Sequence, residues 1–242
     1  MDKVNVISLE RSELRRANFQ KTNTRLNFDF FNAVDGSRLT TDAIQNTGLF
    51  EPNLPYTKGA YGSALSHLAL WDQALATNEL VTVAEDDGIF RNDFQLRSRQ
   101  LISSLRKDWD IVLWGWNFDS ILSLDVMPGV SPAVMQFDQS MMRDNIDTFQ
   151  AIDSEVAALK LDKCFGLVGY TISPQGAEKF KNLCCPLSNF ETYFPLLNRN
   201  LPNNSLDLAM NRFYQSTETF VSFPPLVITK NEHSDSLIIK RD

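Results

Sequence analysis

The sequence predicts an α/β protein with a GT-A-like architecture, a Rossmann-like mixed, mostly parallel sheet flanked by helices. Two observations carry that prediction. Short buried-strand runs at residues 4–9 and 81–84 alternate with segments of helical periodicity, the pattern of a layered sheet whose ligands sit at the carboxyl ends of the strands. The 242 residues are 43% apolar, with no repeat and no Pro- or Gly-rich linker, so one domain with a C-terminal extension is expected.

Each element follows from its residues. Residues 4–9 read as a buried strand, after which Ser12 is placed to cap a helix carrying Leu14 and Ala17. Residues 26–33 form a second strand, closed by the Asp35-Gly36 turn. Residues 57–78 form a helix with Ala64, Leu68, Trp71 and Leu75 on one face. After the strand at 81–84, an amphipathic helix past Phe94 turns Leu101, Ile102 and Leu105 inward, and a strand spans 109–116. Residues 165–173 form a strand leading into Pro174, the first turn of a helix. Residues 135–158, rich in Met and Asp, are expected to be an insertion or mobile loop near the site. Residues 207–215 read as a short helix, and 220–229, with Pro224-Pro225, as a terminal edge strand.

Charge and cysteine usage narrow the function classes. Lys and Arg total 23 against 30 Asp and Glu, a net charge of −7, which excludes a phosphate-neutralising surface and makes nucleic acid an unlikely class of partner. The three cysteines, Cys164, Cys184 and Cys185, build neither a disulfide framework nor a CxxC metal pair, which points to a reducing, cytoplasmic setting. The apolar start, about six residues before Glu10 and Arg11, is too short for a signal-peptide core, and no run approaches the ~18 apolar residues of a membrane span. The basic cluster Arg97, Arg99, Arg106 and Lys107 leaves peripheral contact with the inner face of the inner membrane open; a solvated helix face is the simpler reading.

Chemistry concentrates in a few places. The strand at 81–84 runs straight into Glu85-Asp86-Asp87, three carboxylates whose mutual repulsion a hard divalent cation or a sugar hydroxyl would relieve; an acidic surface turn is the alternative. Gly59 and Gly62 permit close approach of backbone to a ligand phosphate, next to His67, though a lone helix-borne His usually has a structural role. No GxGxxG follows the first strand and no GxxxxGK[ST] exists, so Rossmann dehydrogenases and P-loop kinases are disfavoured. Trp114 and Trp116 at a strand end, on one face and followed by Asn117, suggest a platform for sugar rings; burial in the core is the simpler fate of at least one of them.

Taken in order, these pieces resemble glycosyltransferase family 25, the family of bacterial lipooligosaccharide galactosyltransferases and of collagen galactosyltransferases. The matching segments are Val6-Ile7-Ser8-Leu9 with Arg11 and Arg15-Arg16, Ala33-Val34-Asp35-Gly36, Leu65-Ser66-His67 with Trp71, Glu85-Asp86-Asp87 with Phe90, and Gly169-Tyr170-Thr171-Ile172-Ser173 with Gly176-Ala177. The resemblance covers the domain at 1–185 and leaves 186–242 as the extension completing its acceptor side. Ser63 stands where the family pattern often has Cys, and the region after Cys185 departs further from it.

The resemblance implies inverting transfer of galactose or glucose from a UDP-sugar to the oligosaccharide of a bacterial lipooligosaccharide or lipopolysaccharide. It implies Mn²⁺ or Mg²⁺ at Asp87, with Glu85 and, as an extra ligand, His233. Glu85 and Asp86 would face the donor sugar and ribose. Ser8, Leu9, Glu10 and Arg11 would flank the uridine, Arg15 would approach the phosphates, and Gly62 and His67 complete the donor side. The general base must lie outside the triplet, across the donor from the metal. Asp207, at a helix start and resembling a degraded Pro-x-Asp motif, is placed ahead of Asp119. Two other readings use the same residues: a sugar-nucleotide hydrolase or nucleotidyltransferase, and an inactive relative that binds glycans through its tryptophans.

Overall fold

The computed structural model describes residues 3–194 and 197–230. In chain order the elements are β1 (Val4–Ser8), α1 (Glu13–Thr22), β2 (Phe28–Asn32), α2 (Thr41–Asn46), α3 (Lys58–Thr77), β3 (Val81–Glu85), β4 (Gly88–Phe90) and α4 (Phe94–Ser104). There follow β5 (Ile111–Gly115), β6 (Leu122–Met127), β7 (Ser131–Met135), α5 (Gln139–Asp144), α6 (Ile146–Gln150), β8 (Ala157–Lys163), β9 (Gly169–Ile172) and α7 (Pro174–Cys184). The chain continues through β10 (Glu191–Phe194), β11 (Arg199–Pro202), α8 (Leu206–Met210), β12 (Thr219–Phe223) and β13 (Val227–Thr229). Among the described residues no helix is long and apolar enough to cross a membrane.

Among the described residues nine strands form one sheet in the order β2-β1-β3-β9-β5-β12-β8-β6-β7. This is the mixed α/β architecture expected. Its β2-β1-β3 portion and the β5–β12 pair are parallel, and β9 enters antiparallel between β3 and β5. Consecutive residues of β3 and β5 enter opposite clusters, Val83 and Leu113 with Leu68, Trp71 and Phe180, and Ala84 and Trp114 with Phe90 and Phe94. Both faces are therefore covered, which is why these strands read as continuous apolar runs.

Local chemistry sets the ends. Thr57 caps α3 by accepting from Ala60 N–H at 3.1 Å, and Asn78 closes it at φ 55, a left-handed turn that Asn tolerates. Ser173 caps α7 through Gly176 N–H at 3.0 Å, with Pro174 in the first turn. Ser12 occupies the N-cap position of α1, but its side chain makes no capping bond. Leu75 is exposed rather than in line with Leu68 and Trp71. An added Cβ on Gly62 would lie 2.5 Å from Val34 O, so the approach this glycine permits is taken by the chain's own 34–36 backbone.

Two segments differ from expectation. Residues 135–158 are not a loop: they finish β7, form α5 and α6 and start β8, and Gln150 of α6 donates to Phe90 O at 3.0 Å. Residues 220–229 are not an edge strand. The strand ends at Phe223, ahead of the two prolines, and β12 lies inside the sheet between β5 and β8. After the prolines, β13 pairs antiparallel with β4, aligning Thr229 with Gly88 beside the acidic triplet.

Candidate active site

The triplet stands where parallel strands end together. Ile7 of β1 is in register with Glu85 of β3, so Ser8 and the acidic residues emerge at the same edge, the usual place for a ligand in such a sheet. Glu85 is held by its backbone, whose N–H donates to Val168 O at 3.0 Å. Its carboxylate faces His67 Nε2 at 3.6 Å.

Asp86 is committed to protein partners. Ser8 Oγ donates to its Oδ2 at 2.6 Å and Arg15 Nε to its Oδ1 at 2.8 Å, with Arg15 Nη2 bonded to the same oxygen. The residue expected at the ribose thus fixes the guanidinium expected at the phosphates. Arg11 pairs instead with Asp35, Nε to Oδ2 at 2.8 Å and Nη2 to Oδ1 at 3.1 Å, and this contact with the Ser37 bonds holds the Asp35 carboxyl well below the usual carboxylate range. Leu9 is half-buried and Glu10 is exposed on the turn between β1 and α1.

Asp87 opens toward solvent, and Thr229 Oγ1 donates to its Oδ2 at 3.2 Å. The protein enclosing its base and the neighbouring Glu85 charge push its pKa up to about 7. Among the described residues no three His, Cys, Asp or Glu side chains converge as a metal cage, and His233 lies outside the described residues. What the triplet offers is two hard carboxylates, Glu85 and Asp87, whose like charges repel and are offset in part by the nearby Arg15 guanidinium. That donor set fits Mn²⁺ or Mg²⁺ shared with a diphosphate, since such ions commonly take one or two carboxylates plus phosphate oxygens.

The second candidate carboxylate hangs from the same loop. Gly166 N–H donates to Asp207 Oδ2 at 2.7 Å, and Ser205 Oγ donates to Oδ1. Gly166 and Val168, the anchors of Asp207 and Glu85, are two residues apart, a separation of at most about 7 Å. Gly166 is at φ 81, and Asn117 Oδ1 would lie 2.3 Å from a Cβ placed there. Asp119 is exposed beyond the end of β5. Sequence reasoning missed Thr229 and Gly166 as parts of the site and placed Asn117 on a tryptophan platform rather than against Gly166; for Gly166 the signal was the Phe165-Gly166 step ahead of β9, a glycine where the chain turns sharply.

The tryptophans do not form a platform. Trp71, Trp114 and Trp116 are each 0% exposed and Trp109 is 6% exposed. Nor do Trp114 and Trp116 share a face: a register shift between Leu113 and Gly115 sends Trp116 into the cluster with Phe118, opposite Trp114. The basic cluster is largely engaged on the protein, Arg97 with Asp93 and Asp153 and Arg106 with Asp108 and Glu218.

Comparison with known proteins bears on this arrangement. Residues 1–194 match the family model described as glycosyltransferase family 25 (LPS biosynthesis protein). A glycosyltransferase 25 family member of Aedes aegypti is 28% identical over 92% of this chain and 35% of its own length. An inactive glycosyltransferase 25 family member 3 of Mus musculus is 30% identical over 53% of this chain and 25% of its own. Procollagen galactosyltransferase 2 of Mus musculus is 23% identical over 74% of this chain and 27% of its own. The chain spans about a third or less of the length of these relatives.

Proposed function

The chain belongs to glycosyltransferase family 25, and from that membership we propose that it transfers a hexose, galactose or glucose, from a UDP-sugar to a saccharide acceptor with inversion at the anomeric carbon. The observation that carries this reading is the loop around Gly166 and Val168, which holds Glu85 at one position and Asp207 two residues away. Inverting transfer needs two such groups, one on the leaving diphosphate and one on the incoming hydroxyl.

In this reading Asp87 and Glu85 hold Mn²⁺ or Mg²⁺ with the donor diphosphate; when bound, the cation neutralises the charge that develops on departing UDP. Arg15, fixed by Asp86, faces the phosphates. Asp207 accepts the proton of the acceptor hydroxyl as its oxygen attacks the anomeric carbon opposite UDP. The Gly166 N–H and Ser205 hydroxyl keep that carboxylate aimed. The family's description as an LPS biosynthesis protein supports the oligosaccharide of a bacterial surface glycolipid as acceptor, and transfer in the cytoplasm at the inner face of the inner membrane.

The test is a screen of UDP-hexoses with Mn²⁺ against free saccharides, read by mass. UDP released only when an acceptor is present supports transfer; release without acceptor makes the protein a sugar-nucleotide hydrolase. Asp207→Asn should keep donor binding and lose roughly 10²- to 10⁴-fold in transfer rate. Near-normal transfer, or an equal loss of donor affinity, removes Asp207 as base and moves attention to Asp119. A second reading, a member without transferase activity, is supported by the match to an inactive relative; no UDP release from any donor, with or without acceptor, would establish it.

A further inference from the structure

A line of polar contacts runs from the core to the triplet. Trp71 Nε1 donates to Tyr170 Oη at 2.9 Å, Tyr170 Oη lies 2.9 Å from His67 Nδ1, and His67 Nε2 faces Glu85 Oε1 at 3.6 Å. Trp71 and Tyr170 are 0% exposed and His67 1%. His67 and Trp71 are four residues apart on α3, so they point the same way, and Tyr170 of β9 reaches in between them.

The donor inventory determines where the protons sit. An indole N–H can only donate, so the Tyr170 oxygen accepts from Trp71 and still has its own proton to place. Leaving that buried proton unbonded is costly, and His67 Nδ1 is the acceptor in reach. An Nδ1 that accepts is unprotonated. The ring is therefore neutral, with its one N–H on Nε2, the nitrogen turned toward Glu85. An imidazolium, or the Nδ1–H tautomer, would leave the hydroxyl proton without a partner.

We propose that His67 is a positioning residue: locked by Trp71 and Tyr170 with its proton on Nε2, it presents that N–H to Glu85 Oε1 and so sets the orientation of the carboxylate plane. The Glu85 side chain is 28% exposed, and at 3.6 Å the pair stands just outside hydrogen-bond range, so a small turn of the carboxylate closes the contact. Without the ring N–H the carboxylate plane loses that constraint. That Glu85 meets a donor there rests on the transferase reading; the protonation pattern does not.

Long-range ¹H–¹⁵N correlation of the histidine rings reads the pattern directly. The chain has two histidines, and the His67 signal is the one lost in His67→Gln. The expected spectrum is a neutral Nε2–H ring at His67, converting to a mixture of tautomers in Tyr170→Phe. A Gln amide reaches the former Nε2 position, whereas an Asn amide reaches only that of Nδ1. His67→Asn should therefore move the Glu85 carboxyl ¹³C signal and lower transfer about 10- to 100-fold, as loss of a positioning partner typically does. His67→Gln should recover most of both. A ring protonated on Nδ1, or Asn and Gln variants with equal effects, overturns the proposal. If His67→Gln fails to fold, the loss of the signal in His67→Asn assigns it, and the wild-type and Tyr170→Phe spectra decide the matter. A wild type that transfers no sugar refutes the transferase reading, while the ring spectrum still decides this one.

Discussion

Replacing Asp87 by Asn tests the triplet through stability rather than turnover. In the metal-free protein the Asp87 carboxyl titrates near pH 7, raised by its enclosure and by the Glu85 charge. Between the ordinary aspartate range near pH 4 and pH 7, the folded protein holds a proton that the unfolded chain has released. Stability therefore falls as pH rises through that window, and the penalty is complete above it. Taken at face value the displacement amounts to about 4 kcal/mol; Asp87 is open to solvent, and screening reduces it to about 1 kcal/mol. Asn removes the charge and keeps an acceptor for the Thr229 hydroxyl, which donates to Oδ2 in the wild type. In EDTA, the melting temperature of Asp87→Asn should match the wild type near pH 4 and exceed it by about 2–4 °C at pH 8. With Mn²⁺ and UDP the order should reverse, because only the wild type gains from the ligand. An equal shift at both pH values, or a lower melting temperature at pH 8, would show that the like-charge cost is not stored at this residue.

Three further outcomes follow from named contacts. UDP with Mn²⁺ at ~100 times its dissociation constant should stabilise the protein by ~2.7 kcal/mol, roughly 5–11 °C in melting temperature; an equal shift with GDP would remove the uridine assignment. Gly166→Ala should cost about 1–3 kcal/mol in urea unfolding and lower transfer as well, since the residue is at φ 81 and an added Cβ meets Asn117 Oδ1 at 2.3 Å while its N–H holds Asp207; a neutral effect on both would show that the loop is not braced there. Lys179→Met should destabilise by about 3 kcal/mol, because it strips the cation from Asp110, which is 0% exposed; a change under about 0.5 kcal/mol would place the charge compensation elsewhere.

The parts of the fold that were legible are those where one signal dominates. Helix α3 announced both ends, Thr57 before it and Asn78 after it, and the runs at β1 and β3 are apolar enough to be read as buried strands. The β6–β7 hairpin was missed: Pro132 argues against a strand, yet Pro is tolerated at a sheet edge, and β7 is an edge strand. Pro224 and Pro225 misled in the opposite sense, demoting to an edge a strand that ends one residue before them. In the site, the clustering of Glu85, Asp86 and Asp87 was visible because they are adjacent in sequence. The commitment of Asp86 to Arg15 and Ser8, and the reach of Thr229 to Asp87, are contacts across 71, 78 and 142 residues. No local pattern encodes those. Burial of the tryptophans was legible from their size, but the shared face read for Trp114 and Trp116 was not, because a bulge, invisible to a two-residue period, turns the strand over at Gly115.

The position of β12 has a consequence for how the molecule is made. It lies between β5 and β8, although about a hundred residues separate it from β5 along the chain. Without it the other eight strands divide into two groups with facing open edges, β2-β1-β3-β9-β5 on one side and β8-β6-β7 on the other. Such edges invite pairing with other chains until they are filled. The stretch that matches the family model stops at residue 194, short of the strand that joins the halves. A fragment cut at that boundary would carry the acidic triplet and lack both its keystone strand and the Thr229 that reaches Asp87, so the stretch that matches the family model is shorter than the sheet it belongs to.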